Sequence, residues 1–158
     1  MRKIILLASA LMLIVSSCAI SKDARGKRNM LSGSWTLNDI SFANNAGNFK
    51  AVLFNDAEDI CLEGSDWFFR DNNSTGRYTI SPSTLCNAGD RFIRWSVVEQ
   101  GGTSQLQFKF IDEKRNDISG GVGYRLNIET LTEQAMRLKS FVNVDGENVT
   151  VIYDFTKK

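Results

Sequence analysis

The stretch Gln105-Leu106-Gln107-Phe108-Lys109-Phe110-Ile111-Asp112 alternates polar and apolar side chains from Gln105 to Phe110. A period of two puts Leu106, Phe108 and Phe110 on one face of an extended chain and Gln107 and Lys109 on the other. That is a strand with one dry and one wet face, and the pattern recurs on both sides of it. Val122 to Thr130 sets Val122, Tyr124, Leu126 and Ile128 against Arg125, Asn127 and Glu129. Gln134 to Val142 sets Met136, Leu138 and Ser140 against Arg137 and Lys139. Val149 to Phe155 sets Val149, Val151, Tyr153 and Phe155 against Thr150 and Asp154, after an Asp145-Gly146 hairpin signal. Towards the N-terminus, Arg91 to Glu99 alternates Ile93, Trp95 and Val97 against Arg94 and Ser96, and Gln100-Gly101-Gly102 turns the chain. Asp66 to Asp71 and Thr75 to Ile80 are short strands joined through Asn72-Asn73-Ser74, a turn-forming cluster. Ser34 to Phe42 holds Trp35, Leu37, Ile40 and Phe42, with a phase change near Asn38-Asp39 that predicts a bulge or bend.

Eight half-buried strands in succession, short connections and a single proline predict an all-β antiparallel meander. Closing it into an eight-stranded up-and-down barrel removes the edges that an open sheet would expose. A two-sheet sandwich is the alternative, but its crossovers need longer connections than most of these turns allow. One segment differs: Asn55-Asp56-Ala57-Glu58-Asp59-Ile60 reads as a short helix capped by Asn55, supported by Glu58 and ended by Gly64.

The N-terminus reads as an export signal. Arg2 and Lys3 precede an apolar run from Ile4 to Val15 broken only by Ser9. Twelve residues are too few for a bilayer-spanning helix and fit a signal-peptide core. Ser16 and Ser17 just before Cys18 resemble the lipobox of bacterial lipoproteins. That resemblance implies cleavage after residue 17, diacylation of the Cys18 thiol and a lipid anchor in the cell outer membrane, with the periplasmic or surface side left open. The domains expected are therefore a signal peptide over 1–17, a lipidated cysteine and flexible tether over 18–30, and the barrel over 31–158. An ordinary secretory signal is the other reading of the same residues.

Without Arg2 and Lys3 the formal charge falls from +1 to −1, and nothing in that balance points to nucleic acid. Giving Cys18 to lipid leaves Cys61 and Cys86, which an exported protein most simply pairs as a disulfide; two buried free thiols are the alternative. Histidine is absent and the cysteine spacing is not that of a zinc site, so no metal or other cofactor is expected.

Gly33-Ser34-Trp35 on the first strand, with this strand count, resembles the Gly-x-Trp signature of lipocalins. The wider pattern is Leu31-x-Gly33-x-Trp35-x-Leu37-x-x-Ile40, then Cys61-Leu62-Glu63-Gly64-Ser65-x-Trp67, Asn72-Asn73-x-x-Gly76-x-Tyr78, and Gly123-Tyr124-Arg125-Leu126. It is similar to that of lipocalin-like lipoproteins of Bacteroidetes over about residues 31 to 156. The resemblance implies a tryptophan plugging the closed end of a barrel and a cavity for small apolar molecules. Lipocalins commonly lay an arginine over that tryptophan from near the last strand; here only Lys157 and Lys158 follow Phe155.

The chemistry points away from an enzyme. Without histidine, acid–base work near neutral pH needs a shifted carboxylate, lysine or tyrosine. Glu58, Asp59, Glu63 and Asp66 read as a solvated cap and turn, Glu63-Gly64-Ser65 lacks a nucleophile elbow, and Gly120-Gly121-Val122-Gly123 has no helix after it to hold phosphate. The barrel interior remains, with Trp67, Phe69, Tyr78, Trp95, Phe108, Tyr124 and Tyr153 as the expected ligand contacts; Trp35, Phe110, Met136 and Phe155 complete the inward set. These aromatics either line a pocket for a small hydrophobic ligand or fill the core. In the second case the chain is a non-catalytic interaction or structural module with an envelope protein as partner.

Overall fold

A computed structural model describes residues 21–43, 51–144 and 147–158. The expected signal peptide, Cys18 and the Asp145-Gly146 turn lie outside the described residues. Twelve elements follow in chain order: α1 (Lys22–Leu31), β1 (Gly33–Ala43), β2 (Val52–Leu53), β3 (Ala57–Glu58), α2 (Asp59–Leu62), β4 (Asp66–Arg70), β5 (Thr75–Ile80), β6 (Gly89–Gln100), β7 (Thr103–Phe110), β8 (Tyr124–Leu131), β9 (Ala135–Val144) and β10 (Glu147–Lys157).

The eight long strands form a closed antiparallel barrel in the order β1-β10-β9-β8-β7-β6-β5-β4, with successive barrel strands paired and the first, β1, also paired with the last, β10. Closure comes from β1. Trp35 pairs with Lys157 of β10 on one side and with Trp67 of β4 on the other. The phase change read at Asn38-Asp39 is a register shift between Leu37 and Asp39, which returns Ile40 to the interior after Leu37. All eight strands expected from the period-two pattern are present.

The interior is built by the inward faces of those strands. Trp35, Leu37, Trp67, Phe69, Tyr78, Ile93, Trp95, Leu106, Phe108, Leu126, Met136, Leu138, Val151, Tyr153 and Phe155 are all buried in one cluster. Two glycines stand where a side chain would crowd its neighbours. Gly33 has φ +118°, and a β-carbon there would lie 3.3 Å from Cε of Lys157. Gly76 sits where a β-carbon would come within 2.5 Å of the Phe68 carbonyl, so only a hydrogen fits between β4 and β5.

Two expectations are corrected. The tether expected over 18–30 is helical from Lys22. Ser21 caps α1 by accepting from the Ala24 N–H at 3.0 Å, Asp23 lies in the first turn and Arg28 in the last. Only Ala24 and Leu31 are buried, so the docked stripe is two residues wide and leaves no visible period. Polar contacts do the rest: Lys27 reaches Glu99 and Ser104, and Arg28 bonds Asp71 and Ser74. The helix thereby closes one end of the barrel.

The helix expected over 55–60 is displaced. Residues 52–58 form a small hairpin, with Val52 opposite Glu58 and Leu53 opposite Ala57, and α2 begins only at Asp59. Asn55 is a left-handed turn residue with φ +49°, not a cap. Gly64, at φ +75°, does end α2. Cys61 on α2 is bonded to Cys86 with the two Cα atoms 5.5 Å apart, which ties this segment to the β5–β6 connection.

Candidate functional site

The hairpin of β2 and β3 closes the barrel end opposite α1 and carries the residue that defines the site. Phe54, at its tip, points into the barrel and is buried. Its ring stacks on Tyr153 at 5.6 Å and meets Phe108 at 5.0 Å, Tyr124 at 5.4 Å and Trp67 at 6.2 Å edge to face. Offset and edge-to-face pairs at these separations are favourable beyond area burial. Phe54 comes from a connection and not from a barrel strand, so the strands alone leave room for one phenyl ring.

Two residues later Asp56 forms a polar latch at the mouth. Its carboxylate accepts from Nε of Arg91 at 3.0 and 3.1 Å and from the Tyr78 hydroxyl at 2.7 Å. Arg91 is fixed in turn by donating to the carbonyls of Gly89 at 3.0 Å and Asn87 at 2.8 Å. Beneath the latch Tyr78 stacks on Trp67 at 4.4 Å.

Two crevices flank the hairpin tip. One of about 270 Å³ runs beside Phe54 and is lined by Tyr124, Ser140 and Tyr153. It opens where β8 and β9 diverge: their pairing covers Asn127–Leu131 with Met136–Lys139 and stops short of Tyr124 and Ser140. The other, of about 530 Å³, lies on the Asp56 side and is lined by Arg91, Phe92, Phe110 and Ile118.

The seven residues expected to contact ligand fall into two groups. Trp67, Tyr78, Phe108, Tyr124 and Tyr153 meet around Phe54 and Asp56. Phe69 and Trp95 pack together at 5.2 Å at the far end, where Arg28 of α1 lies over the Trp95 ring at 4.5 Å. The Trp95 indole donates to the carbonyls of Thr75 and Arg70 at 2.9 and 3.2 Å, so it serves the closed end. Trp35 also sits there, donating to the Leu31 carbonyl at 2.7 Å. Lys157 lies over its ring at 5.1 Å and bonds the Met30 carbonyl at 2.8 Å.

The acidic cluster read around the short helix is dispersed. Glu63 accepts from the Ile40 N–H at 3.2 Å, and Asp66 pairs with Lys158 at 2.6 Å. Phe54, Asp56 and Arg91 were missed by sequence reasoning as site residues. The available signal was Val52-Leu53-Phe54, a short apolar run followed by an Asn-Asp turn pair.

Burial dominates the tyrosine chemistry. It pushes the Tyr78 hydroxyl far above the ordinary phenol range, reinforced by the hydrogen bond to Asp56 and that carboxylate's charge and opposed by Arg91. Tyr153 is pushed up to about 12 by burial, against the lowering effect of its bond to Ser140. Burial also raises Tyr124, with a hydrogen bond to Asn55 acting the other way. An unfolded tyrosine releases its proton near pH 10, whereas Tyr78 and Tyr153 retain theirs in the fold. Their contribution is therefore complete below pH 10 and declines as pH rises from there, by about 1.4 kcal/mol per pH unit for each. In an alkaline titration followed by tyrosinate absorbance, Tyr78 and Tyr153 should stay silent at about pH 11 in the folded chain. All three should titrate near pH 10 in denaturant; early titration of Tyr78 in the folded chain would show that the latch does not hold in solution.

No protein-family model matches the chain, and no curated protein sequence matches it. Among solved structures it is similar to bovine odorant binding protein in complex with a selenium-containing odorant. The two share 14% identity, the match covers 89% of this chain and 78% of that one, and the TM-score is 0.43.

Proposed function

We propose that the chain is a membrane-anchored binding protein that takes a small, largely apolar molecule into the mouth of its barrel, and that it is not an enzyme. One observation carries this reading: the space between Trp67, Phe108, Tyr124 and Tyr153 is filled by Phe54, a side chain from a loop. A barrel that only needed a solid core could fill that space from its own strands. An occupant supplied by a connection at the mouth suits a pocket whose lining is apolar with a few polar groups, the general form of small-molecule sites.

The anchor is Cys18, with its lipid in the outer membrane. Because α1 is docked from Lys22 onward, only Ala19 to Ser21 link the lipid to the folded chain. Three residues reach at most ~10 Å, so the α1 end lies close to the bilayer and the mouth points away from it. Among the described residues no helix is long and apolar enough to cross a membrane.

The test has two parts. Produced with its own signal in a bacterium, the chain should fractionate with membranes and carry acyl mass at Cys18, and Cys18→Ser should release it; a wild-type chain free of acyl mass would refute the anchor. Native mass spectrometry after incubation with an envelope lipid extract should show a bound species of small mass. Its absence in both wild type and Phe54→Ala would refute the binding reading.

A second reading, docking to an envelope protein, is favoured by the exposed apolar residues at and beside the mouth, among them Leu85, Phe141, Val52 and Ile118. Crosslinking in cells should then recover one stoichiometric partner, lost on Phe141→Ser.

A further inference from the structure

We infer that the ligand of this mouth is a small organic anion bearing an aromatic ring, and that the lid tip Phe54-Asn55-Asp56 is a built-in stand-in for it. This rests on the reading of the barrel as a ligand site and names the class of molecule that the site takes.

The tip presents two chemical groups to two separate receptors. The Phe54 ring fills the aromatic cage. The Asp56 carboxylate meets a cation and a phenol donor aimed at one point, with the Arg91 and Asp56 side chains only 13% and 19% exposed. Arg91 keeps that aim independently of Asp56, since two backbone carbonyls hold its other nitrogens. An uncharged ring that displaced the lid would leave Arg91 and Tyr78 without the acceptor that now pairs them, a cost that falls on side chains as little exposed as these. A ring carrying a carboxylate replaces both groups at once.

The lid is constructed to leave. The two-stranded sheet of β2 and β3 is separate from the barrel sheet, and its base is closed by the Asp59 N–H donating to the Ala51 carbonyl at 3.0 Å. The unit can therefore lift without breaking a barrel strand pair, and the Cys61–Cys86 bond keeps it near the mouth. Phe54 and Asn55 both adopt left-handed backbone, at φ +55° and +49°, the paired angles of a tight hairpin turn, which the Asp56 N–H closes by donating to the Leu53 carbonyl at 3.0 Å. The turn is therefore self-contained, and the ring in the cage and the carboxylate on Arg91 are the side-chain contacts that hold its tip against the barrel. The crevice beside Phe54 and Tyr153 already leads from solvent to the ring.

A ligand must outcompete the tip, so the intact chain binds weakly and lid variants bind more tightly. The probes are 1-naphthaleneacetate and its uncharged amide, titrated into the purified chain by calorimetry. Phe54→Ala and Asp56→Asn should each bind the acid about tenfold or more tightly than wild type, and should prefer acid to amide by a similar factor. Adding Arg91→Gln to Phe54→Ala should abolish that preference. If Phe54→Ala loses its near-ultraviolet circular dichroism, Asp56→Asn carries the test with the aromatic core intact. Equal affinity for acid and amide overturns the anion inference and leaves the barrel-ligand reading standing. Lid variants no tighter than wild type overturn the stand-in. No binding of either probe to any folded variant overturns both.

Discussion

Trp35→Ala should lower unfolding stability by about 3–5 kcal/mol, the cost of emptying a fully buried aromatic site. The indole is inaccessible to solvent, donates to the last turn of α1 and supports the Lys157 ammonium on its face. Its loss therefore removes packing inside the barrel and the platform on which α1 docks. Native domains hold roughly 5–15 kcal/mol in all, so a large share of the total goes with this one side chain. Denaturant melts should show the midpoint falling with little change in slope. Hydrogen exchange should show α1 losing protection before the strands do. Lys157→Met is the contrast: it forfeits a cation over a ring and one hydrogen bond to Met30, together about 1–2 kcal/mol. A Trp35→Ala loss no larger than that of Lys157→Met would mean that the closed end is held mainly by the helix's polar contacts.

Replacing both Cys61 and Cys86 by alanine should cost about 3–4 kcal/mol, the chain-entropy value for releasing a loop of this length. The bond joins α2 to the β5–β6 connection across a separation of 25 residues. Leu62, next to Cys61, is fully buried, and the eight-stranded barrel does not depend on the crosslink for any strand pair. The barrel should therefore persist at room temperature while the lid loosens. Thermal melts with and without a thiol reductant measure the first effect. Exchange of amides from Ala51 to Gly64, compared with those of β6 and β7, measures the second. A loss below about 1 kcal/mol, or uniform loosening of the whole chain, would mean that the disulfide does not secure the lid.

The barrel was legible because each strand buries one face. Leu106, Phe108, Ile93, Trp95, Val149, Val151 and Tyr153 are buried at alternate positions, and that alternation is local information. The bulge at Asn38-Asp39 was legible for the same reason, since the pattern itself changes phase there. A second register shift, between Ile128 and Thr130, was not read, because Glu129 between them preserves an ordinary alternation. The α1 helix was hidden by its surface. Its contacts are made by Lys27, Arg28 and a narrow stripe of two buried residues, so no apolar period betrays it.

The candidate site was half legible for a related reason. Tyr78, Tyr124, Tyr153, Trp67 and Phe108 lie on strands, and their facing follows from the period. Phe54 and Asp56 lie on a turn, where facing follows from φ angles that no periodicity encodes. The sequence by itself determined the strands and their inward faces. Only the tertiary structure decided that a loop phenylalanine fills the barrel mouth, that Arg91 meets Asp56 thirty-five residues away, and that Lys157 covers Trp35. The first set depends on neighbours one to four residues apart. The second depends on barrel closure, which brings distant segments together only after the strands have paired.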